Sequence, residues 1–143
     1  MRNDYAQWAC AFYTLRMPRP SPVTDALRHV IAADERHLWS LDELHDRVRA
    51  MVGSANFSTI LRAVTALESA GLIDRVDLGD GKARYEVHQE HHEHVRCSNC
   101  GKVAEVPGCV VEGAAAAVRA STGFVVRGHQ LVFSGTCPEC VPG

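Results

Sequence analysis

Two cysteine pairs, Cys97-Ser98-Asn99-Cys100 and Cys137-Pro138-Glu139-Cys140, bracket the last third of the chain. Thiolates three positions apart clasp one metal from a tight turn, and two such knuckles complete a tetrahedral sulfur site. Each pair has its turn former: Gly101 follows the first and Pro138 lies inside the second. Four thiolates around Zn²⁺ leave a net charge of about −2 and no open position, which suits structure rather than catalysis. Disulfides are the alternative. The N-terminus, however, lacks a basic stretch followed by an apolar run and a cleavage site, which points to the cytoplasm, where structural disulfides are rare. A redox CxxC needs only one pair. The remaining cysteines, Cys10 and Cys109, stand alone and are expected to be ordinary thiols.

Immediately before the first pair runs His88-Gln89-Glu90-His91-His92-Glu93-His94. If Val95 and Cys97 continue it as a strand, side chains alternate between faces. Glu90, His92 and His94 then project one way, and His91 and Glu93 the other, which offers ligands to two different metal sites. Imidazole with carboxylate suits Zn²⁺, Fe²⁺, Mn²⁺ or Ni²⁺ and allows reversible binding. The competing reading is a solvated polar segment.

Upstream the pattern is helical. Tyr5, Trp8, Ala9, Phe12 and Leu15 follow helical spacing before the breaks at Pro18, Pro20 and Pro22. Ser21-Pro22 is an N-cap with proline at the first helical position, opening a helix to about Ala32. Ser40-Leu41-Asp42-Glu43 is a capping box, with Leu41, Leu44, Val48 and Met51 as the apolar stripe of a helix that Gly53 ends. A further helix is expected from about Phe57 to Ala70, with Ile60, Leu61, Val64 and Leu67 inward and Gly71 as its stop. The period then changes. Leu72-Ile73, Val76 and Leu78 read as a strand, Gly79-Asp80-Gly81 as a turn, and Ala83, Tyr85 and Val87 as the return strand. Helices followed by a hairpin make a winged helix-turn-helix, whose last helix enters the DNA major groove while the hairpin touches flanking backbone.

Charge alone does not suggest DNA. The 143 residues hold 15 Lys and Arg against 17 Asp and Glu, a net charge of −2. Nucleic-acid binders are usually basic, so any affinity must come from local placement of arginines or from cations bound first. No uninterrupted apolar run approaches the roughly 18 residues needed to span a bilayer, so no membrane association is expected. A hydrolytic metalloenzyme is the competing class, because histidine-rich sites also activate water. No HExxH, nucleophile elbow, phosphate loop or dinucleotide fingerprint occurs, and no enzyme is expected.

Asn56-Phe57-Ser58-Thr59-Ile60-Leu61-Arg62, Gly71-Leu72-Ile73, His91-His92-Glu93-His94-Val95-Arg96-Cys97-Ser98-Asn99-Cys100-Gly101-Lys102 and Gly135-Thr136-Cys137-Pro138-Glu139-Cys140 together resemble the ferric uptake regulator family over roughly residues 20–140. The zinc uptake branch is the nearest. The resemblance implies an α+β chain. Residues 1–87 would form a winged-helix DNA-binding domain, with 1–17 as an N-terminal extension of helical spacing. Residues 88–143 would form a small α/β dimerisation domain with a structural zinc on Cys97, Cys100, Cys137 and Cys140. It further implies a homodimeric, cytoplasmic repressor that binds double-stranded operator DNA when a regulatory metal is loaded.

Carried over residue by residue, the resemblance assigns the regulatory metal to Asp74, His88, His92 and His94, with His88 where the zinc branch has cysteine. A second metal site would use His91, Glu93, Glu112 and His129. The iron and peroxide branches instead suggest Glu86, His92, His94 and Glu105, plus a histidine near His37. Zinc is the favoured signal, with iron or manganese next. A metal joining the wing to the start of the second domain would fix the angle between domains, and so the spacing of recognition helices in a two-fold dimer. DNA contacts are expected from Ser58, Thr59 and Arg62, with Lys82 and Arg84 of the wing on phosphate. Two departures bear on the operator: Leu61 stands where the family has tyrosine, and Val23-Thr24 where it has Gln-Arg. A peroxide sensor of the same fold and a metal-handling protein without operator recognition are the other readings.

Overall fold

The computed structural model describes residues 20–33 and 37–142. The helix expected over Tyr5–Leu15, and the thiol of Cys10, lie outside the described residues. The chain divides into two compact units, one of residues up to Val76 with Lys82–His88, the other of Asp77–Gly81 with residues from Gln89 on.

In the first unit, α1 (Pro22–Ala32) starts where the sequence signals it: the Ser21 hydroxyl accepts from the Thr24 amide at 3.1 Å, with Pro22 opening the helix. The two-residue strand β1 (Trp39–Ser40) leads into α2 (Leu41–Val52). The capping box closes both ways, since Ser40 Oγ accepts from the Glu43 amide and the Ser40 amide donates to the Glu43 carboxylate at 2.9 Å. Asn56 caps α3 (Phe57–Ser69) by accepting from the Thr59 amide at 2.8 Å. At its other end Gly71 turns the chain with φ +70°, a conformation that a residue bearing Cβ adopts only at a cost.

The helices meet over a hydrocarbon core of Leu27, Val30, Ile31, Leu44, Val48, Ile60, Val64 and Leu67, closed by Trp39, Ile73 and Tyr85. Two stripe residues expected inside are outside. Met51 is 52% and Leu61 42% exposed. A 3.6-residue period sends Leu44 and Val48 on to Val52, which packs against the core, and leaves Met51 off the face. Similarly, Ile60, Val64 and Leu67 fill the buried stripe of α3, so Leu61, about 100° round from Ile60, joins the solvent side with Arg62. The wing follows as β2 (Ile73–Asp77) and β3 (Ala83–Val87), with the sheet ordered β1-β3-β2.

The second unit is a three-stranded sheet ordered β5-β4-β6, built from β4 (His92–Cys97), β5 (Val103–Pro107) and β6 (Val132–Gly135). Strand β4 runs antiparallel to β5, with His92 opposite Pro107 and His94 opposite Glu105, and parallel to β6. A parallel pair needs a crossover, and α4 (Ala114–Thr122) lies on the connection between β5 and β6. No residue of α4 is buried. Phe124 and Val125 just beyond it are 74% and 64% exposed.

Candidate metal centres

The cysteine knuckles converge. The four sulfur atoms of Cys97, Cys100, Cys137 and Cys140 lie within 4.8 Å of one another. Cys100 and Cys137 Sγ are 3.7 Å apart, close to the roughly 3.8 Å edge of a tetrahedron of sulfurs about 2.3 Å from zinc. Each knuckle is a closed turn: the Gly101 amide donates to Cys97 O at 3.0 Å, and the Cys140 amide to Cys137 O at 2.9 Å. The Ser98 amide donates to Gly135 O at 2.8 Å, holding the end of β4 against the approach to the second knuckle. An ion pair between Lys102 and Glu139 links the two knuckles. Backbone amides around Cys97, those of Cys100 and Cys137 foremost, pull its thiol down to about 6. Neutral solution therefore presents it as thiolate. Neighbouring sulfurs push Cys100 the other way, to about 11, although the backbone at Lys102 opposes this. A depressed thiol in a closed group of four sulfurs is an arrangement that a dication satisfies. The donor set fits zinc.

The two faces of β4 carry different groups. On one, the His92 and His94 rings meet edge to face at 4.8 Å between centroids. His92 Nδ1 is 2.9 Å from Glu90 O, and Glu105 lies directly across the strand pair from His94. On the other face, Glu93 Oε1 lies 2.8 Å from His91 Nε2 and 2.7 Å from His129 Nε2. The Glu93 side chain is 2% exposed. Its burial opposes ionisation, but the hydrogen bonds and charges of His129 and His91 outweigh that and hold its pKa below the usual carboxylate range.

The fourth group beside these three is Cys109, whose Sγ is 3.8 Å from His129 Nε2. The donor atoms of His91, Glu93, Cys109 and His129 all lie within 4.8 Å of one another. Glu112, expected in this set, is not among the four and sits exposed in the turn before α4. The register explains the exchange. Pro107 pairs with His92, so the chain leaving β5 through Gly108 passes the start of β4 two residues later, at Cys109. Counting that register from the sequence was the available signal, and it required knowing where β5 ends.

Within the first unit, His88 Nδ1 is 2.8 Å from Asp74 Oδ2, and His37 forms an ion pair with the buried Glu86. Of the residues expected at DNA, Ser58 and Arg62 are exposed on α3. Thr59 is half-buried, and its hydroxyl, like that of Ser58, donates to Asn56 Oδ1, at 2.7 and 2.9 Å respectively. Lys82 ends the wing turn and Arg84 lies on β3, its guanidinium donating to Lys82 O at 3.3 Å. Among the described residues, no helix is long and apolar enough to cross a membrane.

The model of the Ferric uptake regulator family matches residues 21–134. A ferric uptake regulation protein of Bordetella parapertussis is 33% identical over 112 residues, 78% of this chain and 80% of that protein. The solved structure of the Francisella tularensis ferric uptake regulator with iron superposes with a TM-score of 0.71 at 25% identity, covering 87% of this chain and 95% of that one. A zinc-bound manganese uptake regulator superposes with a TM-score of 0.61 at 26% identity, covering 92% and 97%.

Proposed function

This chain belongs to the ferric uptake regulator family, and we propose that it is a zinc-responsive, homodimeric repressor that reads operator DNA with α3 and the wing. The family consists of metal-responsive transcription regulators, not enzymes. One observation carries the reading. The same small unit holds a closed four-sulfur cage and, on the faces of β4, imidazole and carboxylate groups drawn together. The cage has no position left for exchange and serves as a structural zinc site; the borderline nitrogen and oxygen donors allow a metal to come and go.

His92 and His94 are the sensor ligands in this reading. The family resemblance offers two pairs to complete the set, Asp74 with His88 or His37 with Glu86, and substitution decides between them. A second site is drawn from His91, Glu93 and His129. In a chain of net charge −2, a bound dication also removes local repulsion toward phosphate. The bare flank of α4, with Val118, Phe124 and Val125 outward, supports burial against a second copy. On α3, exposed Leu61 beside Arg62 supports a contact with a thymine methyl next to a guanine contact.

An iron- or manganese-responsive regulator is the second reading, favoured by the preformed His37–Glu86 pair and by the iron carried by the Francisella tularensis structure. Metal analysis and DNA binding, each before and after mild chelation, test the proposal. One zinc per chain that survives chelation, with a labile second metal required for tight binding to a selected DNA fragment, is the expected result. Identity of the labile metal separates the two readings. Binding no tighter than to random DNA in every metal state would refute both, leaving a metal-handling protein.

A further inference from the structure

Strand β4 buries Glu93 almost completely, 1% exposed, and aims its carboxylate at two imidazoles. A carboxylate taken from water is costly unless charge and hydrogen bonds compensate it, and His91 and His129 supply the hydrogen bonds here. Both imidazoles use Nε2 on the same oxygen, Glu93 Oε1. Metal-binding atoms thus converge on one point. The rings of His91 and His129 also meet edge to face, 4.6 Å apart between centroids. Into this arrangement comes a sulfur. Gly108, at φ +76°, turns the chain at the end of β5 and delivers Cys109 to within 3.8 Å of His129 Nε2.

We propose that Cys109 is a ligand of this centre, making it a two-imidazole, one-carboxylate, one-thiolate site that selects zinc over manganese or iron(II). The inference rests on the reading that His91, Glu93 and His129 hold a metal. Four donors within 4.8 Å of one another match a tetrahedral site, the geometry zinc adopts and octahedral oxygen-preferring cations do not. Substituting sulfur for oxygen in the donor set softens it, which moves preference toward zinc. Glutamate and thiolate together balance the dication, so the loaded site is neutral beside a buried strand. Cys109 is itself exposed, so it closes the site from the solvent side.

Cobalt(II) is the probe, added to full-length protein whose four-cysteine cage is already filled with zinc. A thiolate bound to cobalt gives an intense near-ultraviolet charge-transfer band, while nitrogen and oxygen ligands give only weak visible bands. The expected result is a second cobalt with the charge-transfer band, lost in Cys109→Ser and kept in Glu112→Ala. Zinc preference over manganese should fall in Cys109→Ser by about tenfold or more, the scale on which even outer-sphere partners act. Zinc in the cage should stay at one per chain in every variant, showing that the fold persists. Visible bands that vanish in His129→Ala, with no charge-transfer band in the unsubstituted protein, would keep the site and overturn the role of Cys109. The absence of any cobalt signal sensitive to His129→Ala would overturn the site itself.

Discussion

In the first unit, the side chains with no exposure are Leu27, Leu44, Val48, Ile60, Val64 and Leu67, one or more from each helix. In the second unit, the buried residues are Leu78, Glu93, His94 and Cys97. Hydrocarbon dominates the first interior, with Thr24 and Glu86 its buried polar groups, whereas the second, Leu78 apart, buries a carboxylate, an imidazole and a thiol. The difference is one of driving force. Hydrocarbon burial stabilises at roughly 25 cal/mol per Å² without any partner from solution. Buried ligand groups stabilise only when something satisfies them, so a bound metal is expected to contribute more to the second unit than to the first. On the proposed function such dependence suits a sensor: the unit that carries the metal-binding groups would gain most from metal, while the helical unit would hold its fold without it.

Stripping the sulfur cage should break the contrast most strongly. Structural zinc in small domains contributes about 10–16 kcal/mol of apparent binding energy. Cys137→Ser, or chelation under mild denaturant, should unfold the second unit and leave the helical signal of the first. Circular dichroism with proton NMR reads both. Simultaneous loss of the two units would show that they are not independent.

Next in size is a cavity in the first unit. Leu67→Ala removes a fully buried side chain and should cost about 2–5 kcal/mol in thermal or urea unfolding. Zinc content should not change, and a change would mean that the cage depends on the helical core. Arg62→Ala should cost about 1–3 kcal/mol of operator affinity if it reads a guanine, with metal content and melting unaffected. A smaller loss, equal on all sequences, would demote it to a phosphate contact. Ser40→Ala opens the capping box of α2 and should cost about 1 kcal/mol.

Acid sharpens the comparison from the other side. The Cys97 thiol is depressed, so its ionised form favours the folded state above the ordinary thiol range, and that contribution declines as pH falls and is gone below about 6. Acidification through this value should steepen zinc release from the cage, followed by a metallochromic dye. A pH dependence whose slope does not change near pH 6 would contradict the depressed Cys97 thiol.

What was legible in the sequence were the local devices. Ser21-Pro22, the Ser40–Glu43 box and the glycine stops act within a few residues, and the structure uses each of them. The CxxC pairs were legible because two residues at fixed spacing already form half a site. Leu61 and Met51 were misplaced because three or four apolar residues define a stripe only once the partner helix is known. The short strand β1 exists through its pairing of Trp39 with Tyr85 and Ser40 with Arg84, a long-range contact with no local signature. Cys109 escaped for the same reason: its place beside His129 depends on the β4–β5 register and the turn after it, not on its neighbours in sequence.

The most direct measurement is DNA affinity by fluorescence anisotropy across a range of buffered zinc activities. It would compare the unsubstituted protein with the double variant His92→Ala, His94→Ala, each with zinc retained in the cage. The fragment would be one enriched from genomic DNA by the metal-loaded protein. Affinity should rise with labile zinc by a factor within the usual range of allosteric coupling, about 5–150-fold, and the double variant should lose that rise while keeping its fold. An equal rise in the double variant, or none in the unsubstituted protein with zinc, iron(II) or manganese(II), would contradict the account.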